Sequence, residues 1–337
     1  MKNPGKTPPH RGPKGRVLPD NIAEAHYVNL GGLDQWMLIR GENLNNPPLI
    51  LLHGGPGFSE THFFRHFNSP LEKDFTVVYW DQRGSGKSFN SKIPESSMTV
   101  DQFVADLDEM VEAVYKLIGR KKVTIFGHSW GSALGVLYAA RFPEKVAAYV
   151  GSGQIGDWSA AESGSYAFAL AEAKRHNNRK ALKELVAIGP PPYPASSLWT
   201  ERTWLQQFKG QLRAGALWNM ARDFLNVPEL SIFDLPNLLR GFRFSLFAMW
   251  DEVSRLNLIE SVPALKMPVF FFLGRRDHWV PPETSVAYLD AMTAPSKKIV
   301  WFEESGHEPF VDEPSKFNLS MLELVRPVVV SADGQAG

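Results

Sequence analysis

The regular patterning of the chain begins with two short stretches, 25–30 and 35–40, which read as strands separated by a Gly31-Gly32 turn. Continuous apolar runs follow at 48–53 and 75–80, the first ending in a glycine cluster. Segment 99–118 has helical periodicity, with Phe103, Leu107, Met110, Val111, Val114 and Leu117 on one stripe and Gly119 as its stop. Residues 123–126 read as a strand, 130–141 as a helix rich in small residues, and 146–150 as the next strand. Buried strands alternating with helices imply a mostly parallel sheet with helices on both faces.

The alternation stops after Asp157. From 157 to 262 no strand pattern recurs. The segment reads as helical and is broken at Gly189-Pro190-Pro191-Pro192. It holds Trp158, Trp199, Trp204, Trp218 and Trp250, half of the ten tryptophans in about a third of the length. The pattern then resumes with a strand at 269–273, a helix at 283–292, a strand at 297–302 and a helix at 314–324. The expected organisation is an α/β core in two parts, 21–156 and 263–330, interrupted by a helical cap, 157–262, and preceded by a tail, 1–20. An insertion ahead of the last two strands is a natural lid. No internal repeat is present.

Composition narrows the chemistry. The chain has 337 residues and no cysteine, which removes disulfides, cysteine metal sites and a cysteine nucleophile. Thirty-six basic residues balance 36 acidic ones, so a nucleic-acid partner bound through a broad basic face is not expected. No apolar run reaches the roughly 18 to 20 residues of a membrane span. The basic, proline-rich start lacks an apolar stretch after it, so it reads as a disordered tail rather than a secretory signal, and the expected location is cytoplasmic.

The strongest chemical signal is Gly127-His128-Ser129-Trp130-Gly131, a G-x-S-x-G pattern between a strand and a helix. Such a turn lifts the serine hydroxyl clear of the sheet at a helix N-terminus, whose dipole favours developing negative charge. Ser129 is therefore the candidate nucleophile; Ser132, one turn into the helix, is the rival. A serine needs a base and a carboxylate to orient it, in the chain order Ser, acid, His for this arrangement. Three histidines follow Ser129: His176, His278 and His307. His307 comes just after the last strand, and Asp277 just after the penultimate one, so Asp277 and His307 complete the expected triad. Asp157 and Asp251 are the alternative acids.

His53-Gly54-Gly55-Pro56-Gly57 follows the strand at 49–52 and supplies a loop able to aim backbone N–H groups at an oxyanion. Gly55 and Trp130 are the expected donors, with His53 bracing the loop. Asp81-Gln82-Arg83-Gly84-Ser85-Gly86-Lys87-Ser88 ends like a phosphate loop, but aspartate stands where that motif needs glycine. It reads as a structural loop, with Asp81 and Arg83 in local hydrogen bonds. Gly151-x-Gly153-x-x-Gly156 imitates a dinucleotide fingerprint but lies on a late strand, and His62 with His66 has the spacing of a metal pair without a carboxylate partner. No cofactor and no metal are expected.

With these motifs the chain resembles the α/β-hydrolase superfamily and, within it, the proline iminopeptidase-like serine hydrolases. The resemblance runs from about residue 25 to 324 and is carried by HGGPG (53–57), DQRGSGKS (81–88), GHSWGS (127–132), GRRDHWVP (274–281) and SGHEPF (305–310). It implies an eight-stranded core sheet, a helical cap, and release of an N-terminal residue, typically proline, from a peptide. It also implies acidic cap residues that hold the substrate's free ammonium; Glu162, Glu201, Glu229 and Glu252 are candidates. The family often has glycine where His128 stands. Related caps also serve esterases and amidases, so an esterase or amidase acting on a small apolar acyl compound is the alternative, and a non-catalytic ligand-binding relative the third. The expected partner is a small molecule or short peptide, not a membrane. Oligomeric state is not legible.

Overall fold

The apolar runs become the strands of one sheet: β1 (Ile22–Leu30), β2 (Leu33–Gly41), β3 (Pro48–Leu52), β4 (Thr76–Trp80), β5 (Val123–His128), β6 (Val146–Ser152), β7 (Val269–Gly274) and β8 (Lys297–Phe302). The structure is a computed structural model and describes residues 5–119, 122–210, 224 and 226–334. The spatial order is β1-β2-β4-β3-β5-β6-β7-β8. β1 and β2 form an antiparallel hairpin, whose turn residues Gly31 and Gly32 have φ of 52° and 75°, as a tight two-residue turn demands. β2 pairs antiparallel with β4, and all later pairings are parallel. The chain order reverses around β3, which lies between β4 and β5. Open parallel sheets bind ligands at the carboxyl ends of strands flanking such a switch point.

Side chains on the sheet alternate between two cores. Ile50, Leu52, Val78, Trp80 and Ile125 face one layer, where α2 (Val100–Ile118) contributes Phe103, Leu107, Met110, Val111 and Val114. Leu49, Leu51, Val77, Tyr79 and Phe126 face the other, against α1 (Thr61–Phe67) and the C-terminal helical region. Thr99 caps α2 by accepting the Gln102 N–H at 3.3 Å, and Gly119 ends it in the left-handed region. α3 (Trp130–Arg141) follows β5 directly.

Between β6 and β7 the described residues hold α4 (Trp158–Arg175), α5 (Arg179–Ile188), α6 (Ala195–Gln207) and α7 (Leu235–Val253), and no strand. Trp218 lies outside the described residues. After β7 come α8 (Pro282–Ala291) and, beyond β8, α9 (Pro314–Ser320). No helix among the described residues is long and apolar enough to cross a membrane.

The expectation of a disordered tail over 1–20 is not met from residue 5 onward. Thr7 Oγ1 donates to Glu229 Oε1 at 2.6 Å, the Pro8 carbonyl accepts from Arg40 at 2.8 Å, and His10 Nε2 lies 3.3 Å from Glu72 Oε2. The segment is short of apolar residues, but Arg40, Glu72 and Glu229 are buried and need polar partners. Hydrogen bonds, not a hydrophobic face, hold it.

Candidate active site

Ser129 joins β5 to α3 with φ 53° and ψ −119°, a conformation that a non-glycine residue adopts only under constraint. The constraint comes from close packing. A Cβ on Gly131 would collide with the Leu52 carbonyl, and one on Gly127 would lie 2.7 Å from Ser132 Cα. Only glycine at both positions lets strand and helix close around the serine. Ser132 Oγ donates to the Ser129 carbonyl at 2.6 Å and accepts the Ile155 N–H at 3.0 Å, so the rival hydroxyl is engaged with the backbone.

Asp277 and His307 follow β7 and β8 and meet at the carboxyl edge of the sheet. His307 Nδ1 is 2.8 Å from Asp277 Oδ2, and both residues are buried. Burial pushes the His307 pKa below its ordinary value, although Asp277 acts the other way. Beside His307, Gly153 (φ 51°) leaves space that a Cβ would fill, 2.6 Å from His307 Cε1. The glycines that imitate a dinucleotide loop thus include one that makes room for the imidazole. Asp157 caps α4 by accepting the Ala160 N–H at 3.2 Å, and Asp251 is exposed. His278 stacks on Phe168 at 3.7 Å between ring centroids, and His176 is exposed beside Arg175.

The glycine loop after β3 faces the elbow. Gly55 and Gly57 have φ of 116° and 92°, and a Cβ on Gly54 would lie 3.1 Å from Ser129 Cβ. His53 braces the loop: its Nε2 accepts the Gln82 N–H at 3.1 Å, while Nδ1 faces the Gly54 carbonyl at 2.9 Å. Burial lowers its pKa, consistent with a neutral ring. Gln82 Oε1 in turn accepts from Trp130 Nε1 at 3.0 Å, tying loop to elbow. Asp81 accepts from Ser59 Oγ at 2.5 Å and the Lys87 N–H at 2.8 Å, and Arg83 grips Asp106 through Nε and Nη2 at 2.7 and 2.9 Å. The DQRGSGKS segment is a structural loop. His62 lies buried in α1, its ring 4.0 Å from that of Phe63.

Of the four candidate cap acids, two converge. Glu162 on α4 and Glu201 on α6 both bond Arg202, Glu201 at 2.5 Å, and Tyr193 donates to Glu162 Oε2 at 3.0 Å. Glu201 Oε1 is buried with no hydrogen-bond partner among the described residues. Burial, with help from Glu162 and against Arg202, raises the Glu201 pKa to about 7. The Arg202 guanidinium lies 5.3 Å from the Trp279 ring centroid, and that ring lies 5.4 Å from His307. The cluster therefore stands one indole away from the imidazole. Glu252 accepts the Val100 N–H at 3.0 Å, and Glu229 pairs with Arg65 at 3.2 Å and with Thr7; both act elsewhere.

Sequence reasoning missed Arg202, Trp279 and the buried pair of Glu60 with His128, whose Oε1 and Nδ1 are 2.6 Å apart. The departure of His128 from the family's glycine was the available signal for the last.

A family model described as the alpha/beta hydrolase fold matches residues 47–314. The chain is 33% identical over 306 residues to a probable aminopeptidase, YbaC, of Bacillus subtilis, covering 88% of this chain and 94% of that one. It is 26% identical over 296 residues to a proline iminopeptidase of Clostridioides difficile, covering 86% and 94% respectively. Among solved structures, a proline iminopeptidase of Mycobacterium smegmatis superposes with a TM-score of 0.67 at 19% identity, over 92% of this chain and 100% of that one, which bears on the fold alone. The eight-stranded sheet, the glycine-flanked elbow and these likenesses together place the chain in the alpha/beta hydrolase family, as a hydrolase enzyme.

Proposed function

We propose that this hydrolase is a serine aminopeptidase that releases an N-terminal residue such as proline from short peptides through an acyl-enzyme. Ser129 Oγ attacks the carbonyl carbon of the first residue while His307 Nε2 takes its proton. Asp277 fixes the tautomer that leaves Nε2 free and stabilises the imidazolium. The N–H groups of Gly55 and Trp130 receive the oxyanion. Trp130 is the first residue of α3, so its N–H has no partner within the helix. A donor of this kind typically lowers a barrier by about 2.7–4 kcal/mol. His307 then gives its proton to the departing amine as the C–N bond breaks. A water molecule, deprotonated by His307, releases the acyl group, and the proton returns to Ser129.

One observation carries the substrate assignment: two buried carboxylates, Glu162 and Glu201, share a single guanidinium, and Glu201 Oε1 has no partner among the described residues. The cluster is short of one positive charge, which the free ammonium of a peptide supplies. A substrate lacking that ammonium leaves the buried Glu201 Oε1 unpaired in the complex, so it is rejected. The test is a comparison of kcat/KM for a prolyl anilide, its N-acylated form and a short p-nitrophenyl ester. The free amine is expected to be strongly preferred. Indifference to N-acylation would overturn the aminopeptidase assignment in favour of an esterase or amidase.

A further inference from the structure

His128 joins three loops that the chemistry needs in register. It is the last residue of β5, next to Ser129. Its Nδ1 lies 2.6 Å from Glu60 Oε1, and its Nε2 lies 2.9 Å from the His307 carbonyl oxygen. Glu60 Oε1 also accepts the Gly54 N–H at 3.1 Å. A continuous path of hydrogen bonds therefore runs from the glycine loop after β3, through Glu60 and His128, to the backbone of His307. Both ring nitrogens of His128 face acceptors, a carboxylate and a carbonyl. A neutral imidazole has one N–H, so beside an ionised Glu60 the ring satisfies both only as an imidazolium.

We propose that His128 is a positioning residue: as a fixed imidazolium paired with Glu60, it holds the His307 backbone and the Gly54–Gly55 loop in register and keeps His307 uncharged. This rests on the reading of Ser129 and His307 given above. The His128 and His307 rings lie 4.6 Å apart between centroids, so a permanent positive charge on one opposes charging of the other. Other charged or titratable groups face His128: Glu60 at the start of α1, His307 and Glu308 after β8, and His53 after β3. Asp277 stands behind His307 and Asp81 near His53. Burial alone would discharge His128, but the Glu60 carboxylate outweighs it and raises the pKa to about 9.

The test uses the rate of covalent labelling by a fluorophosphonate probe as a function of pH, which needs no known substrate. His128→Gln alone leaves the Glu60 carboxylate buried beside a neutral amide and risks misfolding. The deciding variant is therefore the neutral pair Glu60→Gln with His128→Gln, its fold checked by thermal melting. Displacing catalytic groups by about 1 Å can cost about 100-fold. Labelling in this variant is expected to slow by at least about tenfold on that basis, with the acid limb moved to higher pH, because the His128 charge that opposes charging of His307 outweighs the Glu60 charge removed with it. A rate and acid limb equal to wild type would overturn the proposal. So would slower labelling with an unmoved limb, which marks packing alone. The wild-type protein gives an independent check: 15N spectra should show a histidine with both ring nitrogens protonated at pH 7.5, and a neutral His128 overturns the proposal whether or not the variants fold. If wild type is not labelled at Ser129, the serine hydrolase reading fails and the positioning role falls with it.

Discussion

The Asp277 carboxylate divides its two oxygens: Oδ2 holds His307 Nδ1 at 2.8 Å, and Oδ1 accepts the N–H groups of Trp279 and Val280, each at 2.9 Å. The backbone bonds fix the carboxylate, and the carboxylate fixes the imidazole. An asparagine here can keep the shape but offers an amide N–H to Nδ1, which forces the proton onto Nε2 and blocks its use as a base. Asp277→Asn is expected to lower kcat by about ten-thousandfold with little change in fold. Unchanged kcat would move the acid role elsewhere.

Removing the serine hydroxyl tests the other end of the arrangement. Ser129→Ala should abolish turnover and probe labelling while leaving the melting temperature close to wild type. Ser132→Ala should retain activity, because that hydroxyl is engaged with the Ser129 carbonyl and the Ile155 N–H. Loss of labelling in Ser132→Ala alone would reverse the assignment.

Glu201 gives a pH signature. Its pKa is raised to about 7 by burial, so it ionises late and must be ionised to hold an ammonium. KM for a free-amine substrate is expected to rise as pH falls through about 7, and KM for an N-acylated substrate is not. The stability effect has the opposite direction: a carboxyl whose folded pKa is raised contributes stability at low pH and loses it as pH rises through the folded value. Glu201→Gln should therefore melt higher than wild type above pH 8, with the gap closing below about pH 4.5, and should lose the preference for a free amine.

Glu72 behaves in the opposite sense. Buried at the base of β4, it bonds Arg40 at 2.9 Å, Arg65 at 2.7 Å and Tyr79 at 2.6 Å. Burial would raise its pKa, but His10, Arg65 and Arg40 together lower it to about 2. Its contribution to stability is present above the ordinary carboxylate value and is lost as pH falls towards about 2. Glu72→Gln leaves Arg40 and Arg65 buried without it, and breaking such a pair costs about 3–5 kcal/mol. The expected result at neutral pH is a clear fall in melting temperature, together with a weaker loss of stability on acidification than wild type shows.

What could be read from the sequence follows the range of the interactions. The strands, α3 and the elbow are encoded locally, by apolar runs and by glycines two residues either side of Ser129, so their places were legible. The places of Asp277 and His307 were legible because each lies in the loop after a strand, and position in an α/β sheet predicts which edge a residue reaches. The Glu162–Arg202 contact spans 40 residues between two helices with no shared periodicity, and the Glu60–His128 contact spans 68. Neither leaves a local trace. The segment 5–20 misled for a different reason: composition measures its poor capacity to bury apolar surface, whereas buried arginine and glutamate side chains on other elements supply what orders it.

The placement of the cap has a consequence for the life of the chain. β7 lies against β6, yet the whole insertion separates them in sequence, and contacts so distant form late because the loop between them must close first. Ser129 is made before the insertion, and Asp277 and His307 after it. A chain cut short anywhere ahead of β8 would carry the serine without its imidazole. Under the proposed chemistry, hydrolysis becomes a property of finished molecules only.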